Sequence, residues 1–112
     1  MLNATSPLMS GIPELLLLRL LSQKSMYGYE LARAIRSTTR EAISVGEGVL
    51  YPALHTLERR GWLKARRRAV SGRTRVYYSL TSGGERHLEK MTREWRRISG
   101  GVDAALLDAS HA

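Results

Sequence analysis

The sequence contains no cysteine, which excludes disulfides, thiolate metal sites and thiol-based catalysis. It also lacks a long apolar run, because the run that starts at Leu15 is interrupted by Arg19 and a spanning helix needs roughly 20 apolar residues. No basic residue precedes that run and no small-residue cleavage site follows it, so the pattern is not that of a secretory signal. We therefore expect a cytoplasmic protein that does not bind membranes.

Acidic residues are missing from one part of the chain. Between Arg59 and Gly84 there are eight basic residues and neither Asp nor Glu. Ten basic and ten acidic residues cancel elsewhere, so this stretch accounts for the whole formal net charge of +8 of the 112-residue chain. A local excess of this kind indicates a surface that faces a polyanion. The eight basic residues are Arg59, Arg60, Lys64, Arg66, Arg67, Arg68, Arg73 and Arg75.

The usual signatures of catalysis and of metal binding are absent from the sequence. There is no Gly-x-Ser-x-Gly, phosphate loop or dinucleotide fingerprint. The three histidines, His55, His87 and His111, fall on separate predicted elements without the spacing of a zinc pair. We therefore predict neither an enzyme, nor a cofactor, nor a metal site.

The order of predicted elements is three helices, a basic hairpin and a long last helix. This predicts an α+β, mostly helical fold: a winged helix-turn-helix with a long C-terminal dimerisation helix. The expected parts are a flexible arm over 1–10, the winged helix over 11–80, and a dimerisation helix over 81–108 that forms one compact unit with it. The first helix, from Pro13 to about Ser22, is apolar nearly all round and should be buried on more than one side.

The third helix carries the first set of candidate DNA contacts. Leu50, Leu54 and Leu57 recur on one face and predict its buried side. Pro52 is expected in the first turn, where backbone N–H groups lack partners. The outward candidates for reading base edges in the major groove are Glu47, Tyr51, Pro52, His55 and Arg59. An ordinary amphipathic helix in a small α+β domain is the alternative.

The hairpin carries the second set of candidate contacts. Strands are predicted over 62–69 and 75–80, around a turn at 70–74 that contains Ser71-Gly72. Consecutive arginines at Arg66, Arg67 and Arg68 place charge on both faces of a strand, which favours phosphate contact. Arg73 and Arg75 flank the tip, where an arginine can enter a narrow minor groove. An edge strand protected from aggregation by its charge is the alternative.

The last helix predicts the oligomeric state. Ser82 and Glu85 have the spacing of a capping box, and Gly100-Gly101 is expected to weaken the helix near its end. Five apolar residues recur at intervals of three and four, as in a coiled-coil seam, and predict a homodimer. They are Leu88, Met91, Trp95, Ile98 and Val102. Trp95 is either part of the dimer core or a flat wall for a planar small-molecule effector between subunits.

Three segments resemble the PadR family of bacterial transcriptional regulators. Residues 27–31 (YGYEL) are similar to that family's second-helix signature. Residues 49–54 (VLYPAL), with Leu57-Glu58 and residues 61–63 (GWL), resemble its recognition helix and the start of its wing. Residues 72–81 resemble the wing and the beginning of the last helix. The resemblance covers about residues 12–98.

The resemblance implies a winged-helix repressor that dimerises through its last helix and binds a pseudo-palindromic operator. It also implies that Tyr51 contacts the operator, that Arg73 is the wing-tip residue and that Arg75 lies near the DNA backbone. Thr74 and Val76 stand where similar wings commonly have proline and lysine, which implies a less rigid wing with one phosphate contact fewer. The cations of Arg66–Arg68 can offset that loss. A single long C-terminal helix is typical of the family's short subgroup.

The leading hypothesis is therefore a homodimeric repressor that binds a double-stranded DNA operator. A basic RNA- or nucleoprotein-associated structural protein would share the charge but would not need two-fold symmetry. Binding of DNA and of structured RNA in competition distinguishes the two hypotheses.

Overall fold

The computed structural model describes residues 2–3 and 6–108. In chain order the elements are β1 (Leu2–Asn3), a 3₁₀ turn (Pro7–Met9), α1 (Ile12–Leu21), β2 (Met26–Tyr27), α2 (Gly28–Thr38), β3 (Ile43–Ser44), α3 (Glu47–Arg59), β4 (Leu63–Val70), β5 (Arg73–Leu80) and α4 (Ser82–Leu107). The antiparallel sheet has the order β2-β5-β4, and β1 pairs in parallel with β3. This is the predicted winged helix-turn-helix followed by a long helix.

The core lies where α1, α2 and α3 meet beneath the sheet. Its fully buried side chains come from all three helices, and Leu63 and Tyr78 close it from the sheet. In α1, buried leucines at positions 17, 18, 20 and 21 confirm that this helix is covered on more than one side. The largest fully buried side chains are Leu17, Leu18, Leu31, Ile35, Leu50, Leu54 and Leu57.

The start of α3 differs from the prediction. Gly46 is the N-cap and the helix begins at Glu47, so Pro52 lies in the second turn rather than the first. Because proline has no N–H, the carbonyl of Gly48 receives no intrahelical bond from it. Gly48 is exposed, so water can bind this carbonyl and the helix continues through Pro52.

The hairpin turn is tighter than predicted. Only Ser71 and Gly72 lie between the strands, and Val70 pairs with Arg73 where a five-residue loop was expected. Both turn residues have positive φ (51° and 77°), as a two-residue type I′ turn requires. The strands are therefore paired along their whole length, up to the tip.

The N-terminus of α4 is also capped differently from the prediction. The Thr81 hydroxyl accepts the N–H of Gly84 at 3.0 Å and donates to the carbonyl of Gly61 at 2.7 Å. The predicted capping box of Ser82 and Glu85 is wrong, because the helix is capped one residue earlier. The helix continues through Gly100 and Gly101 to Leu107, a span of 26 residues or about 39 Å.

The structure describes residues 2–3 and 6–10 of the N-terminal segment. Leu2–Asn3 pairs with Ile43–Ser44, and Met9 of the 3₁₀ turn is buried. Residues 1, 4 and 5 of the predicted flexible arm lie outside the described residues, so its flexibility stays a prediction. Among the helices that the structure describes, none combines the length and the apolar character needed to cross a membrane.

Candidate nucleic-acid interface

The strand register divides the arginines of the hairpin between two faces. Arg68 lies directly opposite Arg75, and Arg66 lies opposite Tyr77. Since side chains alternate along a strand, these residues and Arg73 share one face, which we call the outer face. Arg67 pairs with Val76 on the face that also carries the buried Leu63 and Tyr78 nearer the core.

The outward positions of α3 agree with the prediction. Tyr51, Pro52, His55 and Arg59 are all exposed, whereas Leu50, Leu54 and Leu57 are buried. The Arg59 guanidinium donates to the Thr56 hydroxyl at 3.2 Å and forms no ion pair with an acidic residue within 6–108. The helix therefore offers a polar face of the kind that reads base edges.

A groove joins the start of α2, α3 and the wing tip. It has a volume of about 440 Å³ and brings Tyr51 together with Arg73 and Arg75. His55, Arg59 and Arg66–Arg68 are not among its lining residues. The full lining is Tyr27, Tyr29, Tyr51, Arg73, Thr74 and Arg75.

Tyr51 is held against the backbone of α2. A Cβ placed on Gly28 would overlap the Tyr51 hydroxyl and would lie 2.7 Å from its Cζ atom. Only a glycine at this position lets the ring pack so closely. The side chain of Tyr51 is thus both exposed to the groove and fixed in direction.

Two tyrosines that line the groove were not predicted from the sequence as functional residues. Tyr27 and Tyr29 have ring centroids 6.4 Å apart, and the Arg75 guanidinium lies 4.5 Å from the Tyr27 centroid. On the outer face, Arg68 lies 4.5 Å from the centroid of Tyr77. The sequence contained one signal of such contacts: arginine or tyrosine occupies every second position at 73, 75 and 77. The contact of Arg75 with Tyr27 depends on the tertiary fold.

Tyr29 also faces a second cavity. This cavity has a volume of about 370 Å³ and is lined in part by Lys24, Tyr29 and Arg33. The Arg33 guanidinium lies 5.7 Å from the Tyr29 centroid. The basic surface therefore extends beyond the wing onto α2, which the charge count along the sequence did not indicate.

The cations of the hairpin have no acidic partner among the residues that the structure describes. Within residues 6–108, none of the eight basic residues between 59 and 84 forms an ion pair, and the pair that does form, Arg36–Glu41 at 2.8 Å, lies elsewhere. In the same part of the chain, no group of three His, Asp or Glu side chains is placed to hold a metal ion. An unpaired basic surface of this kind is suited to phosphate.

The joint between α3, the wing and α4 is closely packed. The His87 and Trp62 rings stack with centroids 3.5 Å apart, and the Arg60 guanidinium lies 5.4 Å from the Trp62 centroid. Burial lowers the pKa of His87, and the charges of Lys90 and Arg60 act in the same direction. Burial raises the pKa of Tyr78, with the Glu58 carboxylate adding to that rise. His87 is therefore half-buried in this joint.

The residues of the predicted α4 seam form two groups, one packed against the core and one exposed. Leu88 and Met91 are half-buried and pack against the core of the same chain. Trp95, Ile98 and Val102 are 46–58% exposed. They line an open apolar groove of about 720 Å³ whose opposite wall includes Leu8 and Ile12.

The comparisons with known proteins agree with this geometry. The model of the transcriptional regulator PadR-like family matches residues 17–90. A solved transcriptional regulator from Clostridium thermocellum superimposes with a TM-score of 0.82 at 28% identity, covering 88% of this chain and 97% of that one. A PadR-like transcriptional regulator from Bacillus cereus has a TM-score of 0.78 at 30% identity, with 91% and 98% covered. An uncharacterised protein of Lysinibacillus sphaericus is 31% identical over 88% of this chain and 91% of its own length.

Proposed function

The chain belongs to the PadR-like family of transcriptional regulators and is a DNA-binding regulator, and we propose that it is a homodimeric repressor of a pseudo-palindromic operator. Two observations together carry this proposal: the basic wing forms no ion pair within residues 6–108, and Trp95, Ile98 and Val102 form an exposed apolar surface on the second half of α4. The family favours DNA over the RNA alternative. We propose a cytoplasmic location and no catalytic role.

The DNA surface consists of the exposed face of α3 and the outer face of the hairpin. Tyr51 and His55 are proposed to read base edges, with Pro52 in apolar contact and Arg59 beside them. Arg73 at the tip enters the minor groove, and Arg66, Arg68 and Arg75 hold phosphates. Arg67, on the other face, holds a phosphate only where the duplex also passes that side of the wing. The shared groove of Tyr51, Arg73 and Arg75 supports the simultaneous use of α3 and the wing.

Dimerisation is proposed to occur through the second half of α4. Contiguous apolar surface of this kind on a small protein marks an interface, and a two-fold axis lets the same patch cover itself. In the dimer the partner would cover Trp95, Ile98 and Val102, while Leu88 and Met91 anchor the helix to its own core. Two recognition helices related by this axis would reach half-sites one DNA turn apart, roughly 34–36 Å.

Selection of bound sequences from random DNA tests this proposal most directly. We expect an inverted repeat with half-sites about one turn apart. Light scattering should give twice the chain mass of 12.6 kDa, and structured RNA should not compete with the selected site. A site without symmetry, or a monomer that binds it fully, would contradict the dimer. A reporter in which the protein raises transcription from the selected site would contradict repression.

Regulation by a planar small molecule at Trp95 is a second proposal. The 720 Å³ groove places a half-exposed indole beside the leucines of α1, a surface on which a flat aromatic compound can stack. A compound that spreads the two α4 helices would change the spacing of the recognition helices. It must favour the DNA-incompetent state by about 1–3 kcal/mol to act as an ordinary effector.

Titration of planar aromatic compounds tests this regulation. Quenching of Trp95 fluorescence should parallel release of the operator. Trp95→Leu is the control, because Trp62 also emits. If the Trp95→Leu protein still dimerises and every effective compound still releases it from DNA, Trp95 is dimer core and not a sensor.

A further inference from the structure

We propose that Tyr27 is a positioning residue for DNA binding: its ring holds the Arg75 guanidinium at the wing groove before DNA arrives. The inference rests on the proposed contact surface, in which Arg75 binds the DNA backbone. Tyr27 itself lies on the helix-turn-helix and not on the wing, so the interaction connects the two DNA-contacting parts of the fold.

The backbone of Tyr27 is fixed from two sides. It forms the short strand β2, in which it pairs with Tyr77, and it is the N-cap residue of α2. Its N–H donates to the Glu30 carboxylate at 3.3 Å. The half-buried ring is therefore a rigid platform, and its edge-to-face contact with Tyr77, at 5.4 Å and 61°, holds it further in place.

A platform is needed because of the charges on the outer face. Arg68 and Arg75 are direct cross-strand partners, and like charges at such positions repel. No carboxylate within residues 6–108 forms an ion pair with either arginine. Each guanidinium instead lies 4.5 Å from the centroid of a different ring, Arg75 at Tyr27 and Arg68 at Tyr77. The negative ring faces attract the two cations to separate places.

This contact leaves Arg75 able to bind phosphate. A guanidinium that meets a ring through its face keeps its in-plane N–H donors. Arg75 is half-buried at the groove that also contains Tyr51 and Arg73. The Arg75 side chain is thus already ordered in the free protein, so DNA binding costs less side-chain entropy.

A double-mutant cycle on operator binding tests the proposal. Tyr27→Leu keeps an apolar side chain but removes the ring. We expect affinity to fall about two- to fivefold per subunit, the range of a cation–π contact, and so about four- to 25-fold for the dimer. In an Arg75→Ala background the same change should have no effect. A purely structural role of Tyr27 would give an equal loss in both backgrounds, and that result would overturn the proposal.

Two further measurements keep the proposal testable if Tyr27→Leu folds poorly. Phenylalanines with increasing numbers of fluorines at position 27 retain the ring shape while weakening its negative face, and affinity should fall stepwise; a flat series would overturn the proposal. In the free protein, the Arg75 side-chain N–H resonance should show a ring-current shift that Tyr27→Phe retains, and the absence of such a shift would overturn the proposal.

The cycle also separates this inference from the proposed contact surface. If Arg75→Ala alone leaves affinity and its salt dependence unchanged, the contact surface is wrong at Arg75 and the inference fails with it. If Arg75→Ala weakens binding and Tyr27→Leu weakens it independently, the contact surface stands and only the positioning role is overturned.

Discussion

The winged helix-turn-helix and the second half of α4 differ in how their apolar residues are covered. In the former, Leu50, Leu54 and Leu57 are at most 1% exposed, and the exposed face is polar and basic. In the latter, Ile98 is 58% exposed and Leu106 is 79% exposed, although both are as apolar as the core leucines. The first region buries its apolar residues within the single chain, whereas the second leaves much of its apolar surface exposed.

This difference assigns different tasks to the two regions. A complete domain can present fixed side chains to DNA, because its own core holds them. An open apolar half-helix contributes little to the stability of a lone subunit, but it can determine how two such domains are placed. We therefore expect substitutions in α4 to change DNA binding through assembly, and substitutions in the winged helix to change it through stability or direct contact.

The largest effect should come from placing a charged residue in the exposed apolar half of α4. Ile98→Glu should give a folded monomer whose operator affinity is about 10²- to 10⁴-fold lower, because the second half-site is no longer held at high effective concentration. Light scattering and a binding titration measure the two effects. Arg93→Glu, an exposed position on the opposite side of α4, is the matched control and should remain a dimer. If the Ile98→Glu protein is still a dimer, the exposed half of α4 is not the dimer interface.

Truncation of the core should have the next largest effect. Leu54→Ala should lower the free energy of unfolding by about 2–5 kcal/mol, since Leu54 is fully buried. Leu106→Ala should change it by less than about 0.5 kcal/mol. Urea unfolding at one protein concentration measures both variants. Equal losses would show that the end of α4 is as well packed as the core.

The contact between α2 and α3 can be broken without altering the core. Gly28→Ala should displace the Tyr51 ring, because the new Cβ overlaps it. If Tyr51 makes a base contact, operator affinity should fall by about 1–3 kcal/mol with a smaller loss on random DNA. Gly48→Ala is the control, because a Cβ at that position meets no atom within 4 Å. Equal losses on both DNAs would mean that Tyr51 does not read sequence.

The two faces of the hairpin can be compared by salt dependence. Arg68→Ala should make the slope of log affinity against log salt shallower by about 0.9 for each lost phosphate contact, or about 1.8 for a dimer in which both subunits lose one. Arg67→Ala, one residue away on the opposite face, should change the slope less. A larger change for Arg67 would show that the duplex lies against the other face of the wing.

The smallest effect should come from the joint that connects the two regions. The pKa of His87 lies below its ordinary value of 6.5, so the unfolded chain takes up a proton at a higher pH than the folded one. Stability should therefore be complete above about pH 6.5 and decrease as the pH falls toward the lowered pKa. His87→Phe keeps a ring for Trp62 without titrating and should reduce this dependence. An unchanged pH dependence of urea unfolding would exclude His87 as its source.

Much of the fold was predictable because it depends on local patterns. The spacing of Leu50, Leu54 and Leu57 predicts the buried face of α3, and the turn residues Ser71-Gly72 predict the hairpin. The errors concern details that involve partners distant in sequence or helix ends. Thr81 caps α4 because its hydroxyl also reaches Gly61, 20 residues earlier. Pro52 lies in the second turn because α3 begins at Glu47.

The candidate site was predictable in its charge but not in its arrangement. The concentration of eight cations in one acid-free stretch is a property of the sequence, and it indicates a polyanion-binding surface wherever the stretch is exposed. Which arginines share a face depends on the hairpin register, and the turn length that determines this register was predicted incorrectly. The contributions of Lys24 and Arg33 depend on where α2 packs.

By itself the sequence determined the order of the elements, the apolar face of each helix and the polyanion-facing wing, because periodicity and charge act over a few residues. Only the tertiary structure decided which residues meet: Tyr51 at Gly28, Arg75 at Tyr27, His87 at Trp62. It also divided the α4 seam into a half that packs on its own core and a half that stays open. These contacts join residues 23–48 positions apart in the sequence, so their formation depends on how the helices and the sheet pack together.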